Sequence, residues 1–183
     1  MLNRYSEVLG LPVVCADSGG KAGVIKDIIF CPENREVCAF LLEQKGFEIK
    51  KKVVRLKDVF SLGSDAAIID NSGCVEELGK SSFKEKFKDE GGILGLKIFT
   101  REGSELGMVK DVLFDWKTGR IEGFEISDGI FQDLVQGRKL LPLLGKVEFG
   151  EENVLVEKEA VEEMEGTGGG ISNMLLGRDN NKK

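Results

Sequence analysis

The sequence predicts an all-β protein that contains two small β-barrels in tandem, a short helix in the linker between them and a flexible C-terminal tail. Two observations predict the barrels: one motif occurs twice, and turn-forming residues recur every eight to twelve positions or so. The motif is GVIKDIIF at residues 23–30 and GMVKDVLF at residues 107–114. Glycine, lysine, aspartate and phenylalanine keep their places in both, which indicates two copies of one domain.

The composition is that of a soluble globular protein, because 41% of the 183 residues are hydrophobic and 32% are charged. No apolar run approaches the roughly 20 residues that a membrane helix needs. The first residues also lack the apolar core of a signal peptide. We therefore expect a cytoplasmic, bacterial-type protein without a membrane span.

Each copy is expected to contain five or six short strands, a number that favours a barrel over an open sheet. The second copy follows the first with one residue removed in the first turn. Leu94-Gly95-Leu96 matches Leu9-Gly10-Leu11, and Gly103 matches Gly19. Glycine at matching turns indicates a positive φ angle. In the first copy the predicted strands cover residues 11–15, 23–30, 36–42 and 53–56, and residues 61–69 hold a glycine turn that leads into the final strand.

The order of these elements resembles the PRC-barrel domain. The similarity lies in the strand that reads Gly-x-aliphatic-Lys-Asp-aliphatic-aliphatic-Phe, the apolar strand after it, and the glycine turn before a final aliphatic strand. It covers roughly residues 6–70 and 91–157. The family includes the H subunit of photosynthetic reaction centres and a ribosome maturation factor, and it implies a non-catalytic barrel used for docking or assembly.

The predicted domains are a first barrel at residues 1–72 and a second barrel at residues 91–157. A linker at residues 73–90 separates them, in which Ser82–Asp89 is expected to form the short helix, opened by a capping box. Residues 158–183 follow as a brief helix and a flexible tail.

The chain has no histidine and four cysteines, all in its first half. The missing imidazole excludes Ser-His, Cys-His and His-metal chemistry. The cysteines form no CxxC pair, so small buried or half-buried thiols are expected rather than a zinc site. We predict no catalytic residue, no metal and no cofactor. The repeated Asp27 and Asp111 are interpreted as structural groups that accept backbone N–H bonds, rather than as catalytic acids.

The net charge of −6 argues against binding to DNA or to an anionic membrane. Residues 91–157 hold −4 of it, with eight basic and twelve acidic residues. One basic cluster stands out at Lys50, Lys51, Lys52 and Arg55. It is interpreted either as an edge strand guarded by lysines or as a contact for RNA or an acidic protein.

Two further segments are candidate partner-binding sites. Trp116 is the only tryptophan and is predicted to lie in a hairpin turn, where an exposed indole can anchor an interface. In the tail, Ile171, Met174 and Leu175 are spaced as one apolar stripe of a helix. A glycine tether precedes them, so they are predicted either to be disordered or to dock into a groove.

The sequence favours a non-catalytic adaptor or assembly protein that binds a protein or ribonucleoprotein partner through its two barrels. The alternative is an accessory factor in RNA or ribosome maturation, in which the basic cluster would contact RNA of a ribosomal particle. A homo-oligomer is compatible with both. The sequence does not name the partner.

Overall fold

The computed structural model of the chain describes residues 2–31, 34–43, 50–80, 92–127, 139–150 and 152–166. Most of these residues lie in strands, and the two β sheets curl like half-barrels, as the predicted fold class requires. The predicted linker helix at Ser82–Asp89 lies outside the described residues.

The elements of the first half are short apart from two longer strands. In chain order they are β1 (Leu2–Arg4), α1 (Tyr5–Val8), β2 (Pro12–Cys15), β3 (Lys21–Cys31), β4 (Glu36–Leu42), β5 (Lys52–Arg55), a 3-10 turn (Leu56–Asp58), β6 (Val59–Leu62), β7 (Ala67–Ile69), a 3-10 turn (Ser72–Cys74), β8 (Val75–Glu77) and a 3-10 turn (Leu78–Lys80).

The second half repeats the pattern of a short strand followed by one of 11 residues. Its elements are β9 (Lys97–Thr100), β10 (Glu105–Asp115), β11 (Ile121–Ser127), β12 (Lys139–Pro142), β13 (Glu148–Phe149), β14 (Asn153–Val156) and α2 (Lys158–Gly166).

The described chain forms two compact units. The first holds residues 3–92 together with residues 114–120, and the second holds residues 93–113 and 121 onward. In the first unit the strand order is β6-β7-β2-β3-β4-β5-β8. In the second it is β12-β11-β10-β9-β14-β13, and β1, whose Leu2 belongs to this unit, pairs with β10.

The duplication extends to individual hydrogen bonds. The Gly10 amide donates to the Ile25 carbonyl at 2.8 Å, and the Gly95 amide donates to the Val109 carbonyl at 2.9 Å. Both glycines have a φ of +81°, which confirms the prediction for this turn. Each unit also contains a parallel pair of short strands, β7 beside β2 in the first and β14 beside β9 in the second.

The cores are built on β4 and β11. Phe40 on β4 and Phe124 on β11 occupy matching positions in the two copies, and both are fully buried. On β4, Ala39, Leu41 and Leu42 are also buried. Residues 39–42 are thus buried on both faces of the strand, which explains their continuous apolar run, because a strand covered on both sides has no solvent face that needs polar residues.

Two expectations about the first unit are wrong. The strand β5 is not at an edge, because β8 pairs with it on the side away from β4. The cysteines are not all free thiols, since Cys31 and Cys38 form a disulfide across the β3–β4 turn. Cys15 and Cys74 are free.

Residues 116–119 form a tight turn within the first unit, and Gly119 is its most constrained residue. Its φ is +78°, and a Cβ atom at this position would lie 2.6 Å from the Val37 carbonyl oxygen. The Gly119 carbonyl in turn accepts the Val37 N–H at 2.7 Å. A side chain would therefore strain the backbone and push this hydrogen-bonded contact apart.

We predict that Gly119→Ala lowers the free energy of unfolding of the first unit by about 2–4 kcal/mol, from a positive φ and a backbone clash together. The matched control is Gly10→Ala, where φ is +81° but no atom lies within 4 Å of the added Cβ. It should cost only about 1 kcal/mol. Urea unfolding followed by Trp116 fluorescence measures both, since Trp116 belongs to this unit. Equal losses would contradict the clash.

Candidate partner-binding surfaces

The repeated aspartates are buried and bound to their own backbone. The Asp27 carboxylate accepts the Ile28 N–H at 2.7 Å and the Tyr5 hydroxyl at 3.0 Å. The Asp111 carboxylate accepts the Val112 N–H at 2.8 Å. Asp27 also lies where the register between β3 and β4 shifts, as in a β-bulge. The predicted N–H bond is thus confirmed in both copies, and it gives these carboxylates a structural task.

The basic cluster of residues 50–55 lies beside two glutamates of β8. The Lys50 ammonium is 3.2 Å from a Glu77 carboxylate oxygen, and the Arg55 guanidinium is 3.0 Å from Glu76. The hydrogen bond from Lys50 is the largest cause that lowers the pKa of Glu77. Part of the positive charge is therefore neutralised within the unit. The sequence signal that could have shown this is the acidic pair itself, which lies inside the stretch predicted as linker.

Trp116 lies in the turn between β10 and β11, as predicted, and is half-buried rather than fully exposed. The Asp115 carboxylate accepts the Lys117 N–H at 2.8 Å, and the Gly119 N–H donates to the Asp115 carbonyl at 2.7 Å. These bonds fix the turn that carries the indole. A role for Trp116 in partner binding stays a prediction.

The second unit carries a groove that the sequence analysis missed. It has a volume of about 620 Å³, and it crosses β9, β14 and β13. Its apolar part consists of Phe99, Phe149 and Leu155, all half-buried, and its polar part includes Glu148 and Glu152. Phe99 lies beside Leu155 in the parallel ladder, and Leu155 lies beside Glu148 in the antiparallel one. The groove depends on the register of three strands, which no local pattern reveals.

Alternation along the strands explains why the side chains of Phe99 and Leu155 face outward. On β9 the flanking Ile98 and Thr100 are buried, and on β14 Val154 and Val156 are buried. The residue between each pair must then point to the opposite face of the sheet. Phe149 is also held against the core, because its ring meets the Phe124 ring edge to face, with centroids 6.0 Å apart.

Charged residues are fixed at one end of this groove. The Glu148 carboxylate is 2.7 Å from the Lys146 ammonium and 2.8 Å from the Arg101 guanidinium. Arg101 also reaches Glu157 at 2.9 Å. Hydrogen bonds from Lys146, and then from Arg101, lower the pKa of Glu148. The Glu148 carboxylate therefore stays ionised at neutral pH. The second glutamate of the groove, Glu152, is exposed to solvent.

The remaining predicted site residues Ile171, Met174 and Leu175 lie outside the described residues. Among the residues that the structure describes, no three of the acidic, histidine or cysteine side chains are grouped so that they could hold a metal ion. No helix in the same part of the chain is both long and apolar enough to cross a membrane. The absence of a cofactor stays a prediction.

Comparison with known proteins supports the fold. The PRC-barrel domain model matches residues 2–73 and again residues 92–161, so the chain belongs to the PRC-barrel family and carries two copies of the domain. The chain is also similar to the uncharacterized protein YrrD of Bacillus subtilis (strain 168). The two are 32% identical over 141 residues, which cover 75% of this chain and 77% of YrrD.

Substitution of Asp27 should separate its hydrogen-bonding role from its charge. Asp27→Ala leaves the Ile28 N–H and the buried Tyr5 hydroxyl without this acceptor, and we expect a loss of about 2–4 kcal/mol in the free energy of unfolding. Asp27→Asn keeps one acceptor oxygen and should lose less than half as much. Urea unfolding of the two variants and of the unchanged chain measures both losses in the free energy of unfolding. Equal destabilisation by both would show that the charge, not the acceptor, is what matters.

The ion pairs of Glu148 predict a specific titration. Because its folded pKa lies below the unfolded value, Glu148 contributes stability at pH values above the unfolded pKa, and this contribution is lost as the pH falls through the folded pKa. Lys146→Met should raise the folded pKa toward its ordinary range, as measured by carboxyl-detected NMR. The control is Lys158→Met, which removes an ion pair to Glu162 instead. A Glu148 pKa that stays unchanged in Lys146→Met would contradict the assignment.

Proposed function

We propose that the chain is a non-catalytic adaptor that binds a protein partner, and that the groove of the second unit is its main docking surface. The observation that carries this proposal is the row of Phe99, Leu155 and Glu148 across three neighbouring strands. Half-exposed aromatic and aliphatic side chains beside a fixed charge are typical of binding sites, because the apolar part supplies affinity and the charge supplies orientation.

The buried aspartates support a role without catalysis. A carboxylate that repeats in both copies and accepts a backbone N–H in both has a structural task in each. Membership of the PRC-barrel family also supports a role without catalysis, because the family implies a barrel used for docking or assembly. The proposal includes a cytoplasmic location.

The chemistry of the groove indicates the kind of partner segment that would fit. Phe99, Phe149 and Leu155 favour one or two aliphatic or aromatic side chains, which would lose water on binding. Glu152 is exposed at the polar side and would favour a lysine or arginine next to them. The partner is therefore expected to present a short segment with an apolar anchor and an adjacent basic residue.

An accessory role in RNA or ribosome maturation remains the second candidate. It would use Lys50, Lys51, Lys52 and Arg55 as a phosphate-binding surface. Its support is weaker, because Lys50 and Arg55 are already paired with Glu77 and Glu76. Binding through phosphates would also be strongly weakened by salt, whereas burial of an apolar anchor would not.

The test is quantitative affinity capture from a lysate of the source cells, with the full chain as bait. We expect one defined protein to be retained at both low and high salt. Glu152→Lys together with Leu155→Asp should reduce its capture at least tenfold, since about 1.4 kcal/mol corresponds to a factor of ten and burial of a leucine contributes more than that. Circular dichroism and urea unfolding must show that this variant is still folded.

The control is Glu159→Lys, which repeats the charge reversal of Glu152→Lys at an exposed position of α2 outside the groove. It should leave capture unchanged. Equal capture by the groove variant and the control would overturn the docking site. Salt-sensitive recovery of ribosomal particles, lost with Lys51→Glu and Lys52→Glu, would favour the second candidate instead.

A further inference from the structure

The Cys31–Cys38 disulfide is placed asymmetrically in the first unit. Cys31 is the last residue of β3 and is buried, with 2% of its surface exposed. Cys38 lies on β4, is only half-buried, and lines an open cleft of about 310 Å³. A small nucleophile can therefore reach the Cys38 sulfur through the cleft, while the Cys31 sulfur is covered by protein.

The cleft beside Cys38 is predominantly cationic. Arg55, Lys57 and Lys117 line it, against the single carboxylate of Glu36. Arg55 is paired with Glu76, but within the described part of the chain neither the Lys57 nor the Lys117 ammonium has a carboxylate partner. Both lysines are exposed, so their charges remain available to a molecule that enters the cleft.

These positions have two chemical consequences. Positive charge around a sulfur favours its thiolate form, which is both the nucleophile and the leaving group of thiol–disulfide exchange. The same charge attracts small molecules that carry carboxylates, and it raises their local concentration. An uncharged thiol would gain no such attraction.

We propose that Cys38 is a reversible thiolation site for an anionic low-molecular-weight thiol. The thiolate of that molecule attacks the Cys38 sulfur, a new S–S bond forms, the Cys31–Cys38 bond breaks, and Cys31 leaves as a thiolate that takes up a proton. A second thiolate then attacks the bound molecule's sulfur, which releases the small-molecule disulfide and the Cys38 thiolate. Two electrons thus pass from two thiols to the cysteine pair, and the small-molecule disulfide drives the reverse sequence.

The site also touches the turn that carries Trp116. Val37, next to Cys38, donates its N–H to the Gly119 carbonyl, and Lys117 and Thr118 line the cleft. A thiol bound to Cys38 occupies space beside this turn. Its arrival should therefore change the fluorescence of the lone tryptophan, which gives a second readout besides mass.

The first experiment measures reduction of the disulfide in the full chain by glutathione, which carries carboxylates, and by 2-mercaptoethanol, which is uncharged. Each rate constant is divided by the fraction of the reagent that is present as thiolate, because only the thiolate attacks. Lys57→Glu with Lys117→Glu should lower the ratio of the glutathione rate to the 2-mercaptoethanol rate about tenfold. Lys21→Glu with Lys110→Glu changes the net charge equally at exposed positions outside the cleft and should keep the ratio.

The second experiment locates the adduct. A Cys31→Ser chain treated with oxidised glutathione should carry one glutathione on Cys38, found by peptide mass mapping, and its Trp116 emission should shift. Attachment mainly to Cys15 or Cys74 would overturn the proposal. The same holds if the rate ratio falls equally in both lysine pairs, or if the air-oxidised chain shows free Cys31 and Cys38 thiols. The rate measurements do not depend on the folding of the Cys31→Ser chain.

Discussion

A buried carboxylate that accepts the N–H of the next residue anchors the longest strand of each unit. Asp27 and Asp111 each lie within an 11-residue strand, and most other residues of these two strands are apolar. A buried charge is tolerated only when hydrogen bonds replace its lost water, and each carboxylate has such a bond to its own strand. The sheet partners on both sides depend on the path that this strand takes. The aspartate within each apolar run therefore has the same structural task in both copies.

The sequence was most informative where a property depends on one short segment. The turn glycines, the motif strands and the apolar strand β4 each follow from a few adjacent residues, and all were predictable. The strand β8 has only three residues and gains its identity from pairing with β5, so its segment was interpreted as linker. The groove requires Phe99, Leu155 and Glu148 to meet across three strands, and the disulfide requires the β3–β4 turn to bring two cysteines together. Such contacts are set by tertiary pairing and leave little trace in local composition.

The two copies keep the same scaffold but differ in what they present to solvent. In the first unit Val14 pairs with Ile68, and at the matching place in the second unit Phe99 pairs with Leu155. The disulfide belongs to the first copy alone, because the second half has no cysteine, and the cationic cleft lies beside it in the first unit. The two copies thus share one frame, and they differ in the side chains at its surface: an apolar groove in the second unit and a cleft lined by lysines in the first.

The assignment of residues 114–120 to the first unit has a consequence for how this protein can be divided or recombined. The family boundaries suggest two interchangeable modules at residues 2–73 and 92–161. A gene fragment cut there would nevertheless separate the Val37 N–H from the Gly119 carbonyl that it binds. Neither family match covers all of the first unit, so a fragment that ends at residue 73 lacks residues 114–120. A complete first unit is therefore obtained only from a fragment that contains residues of both copies.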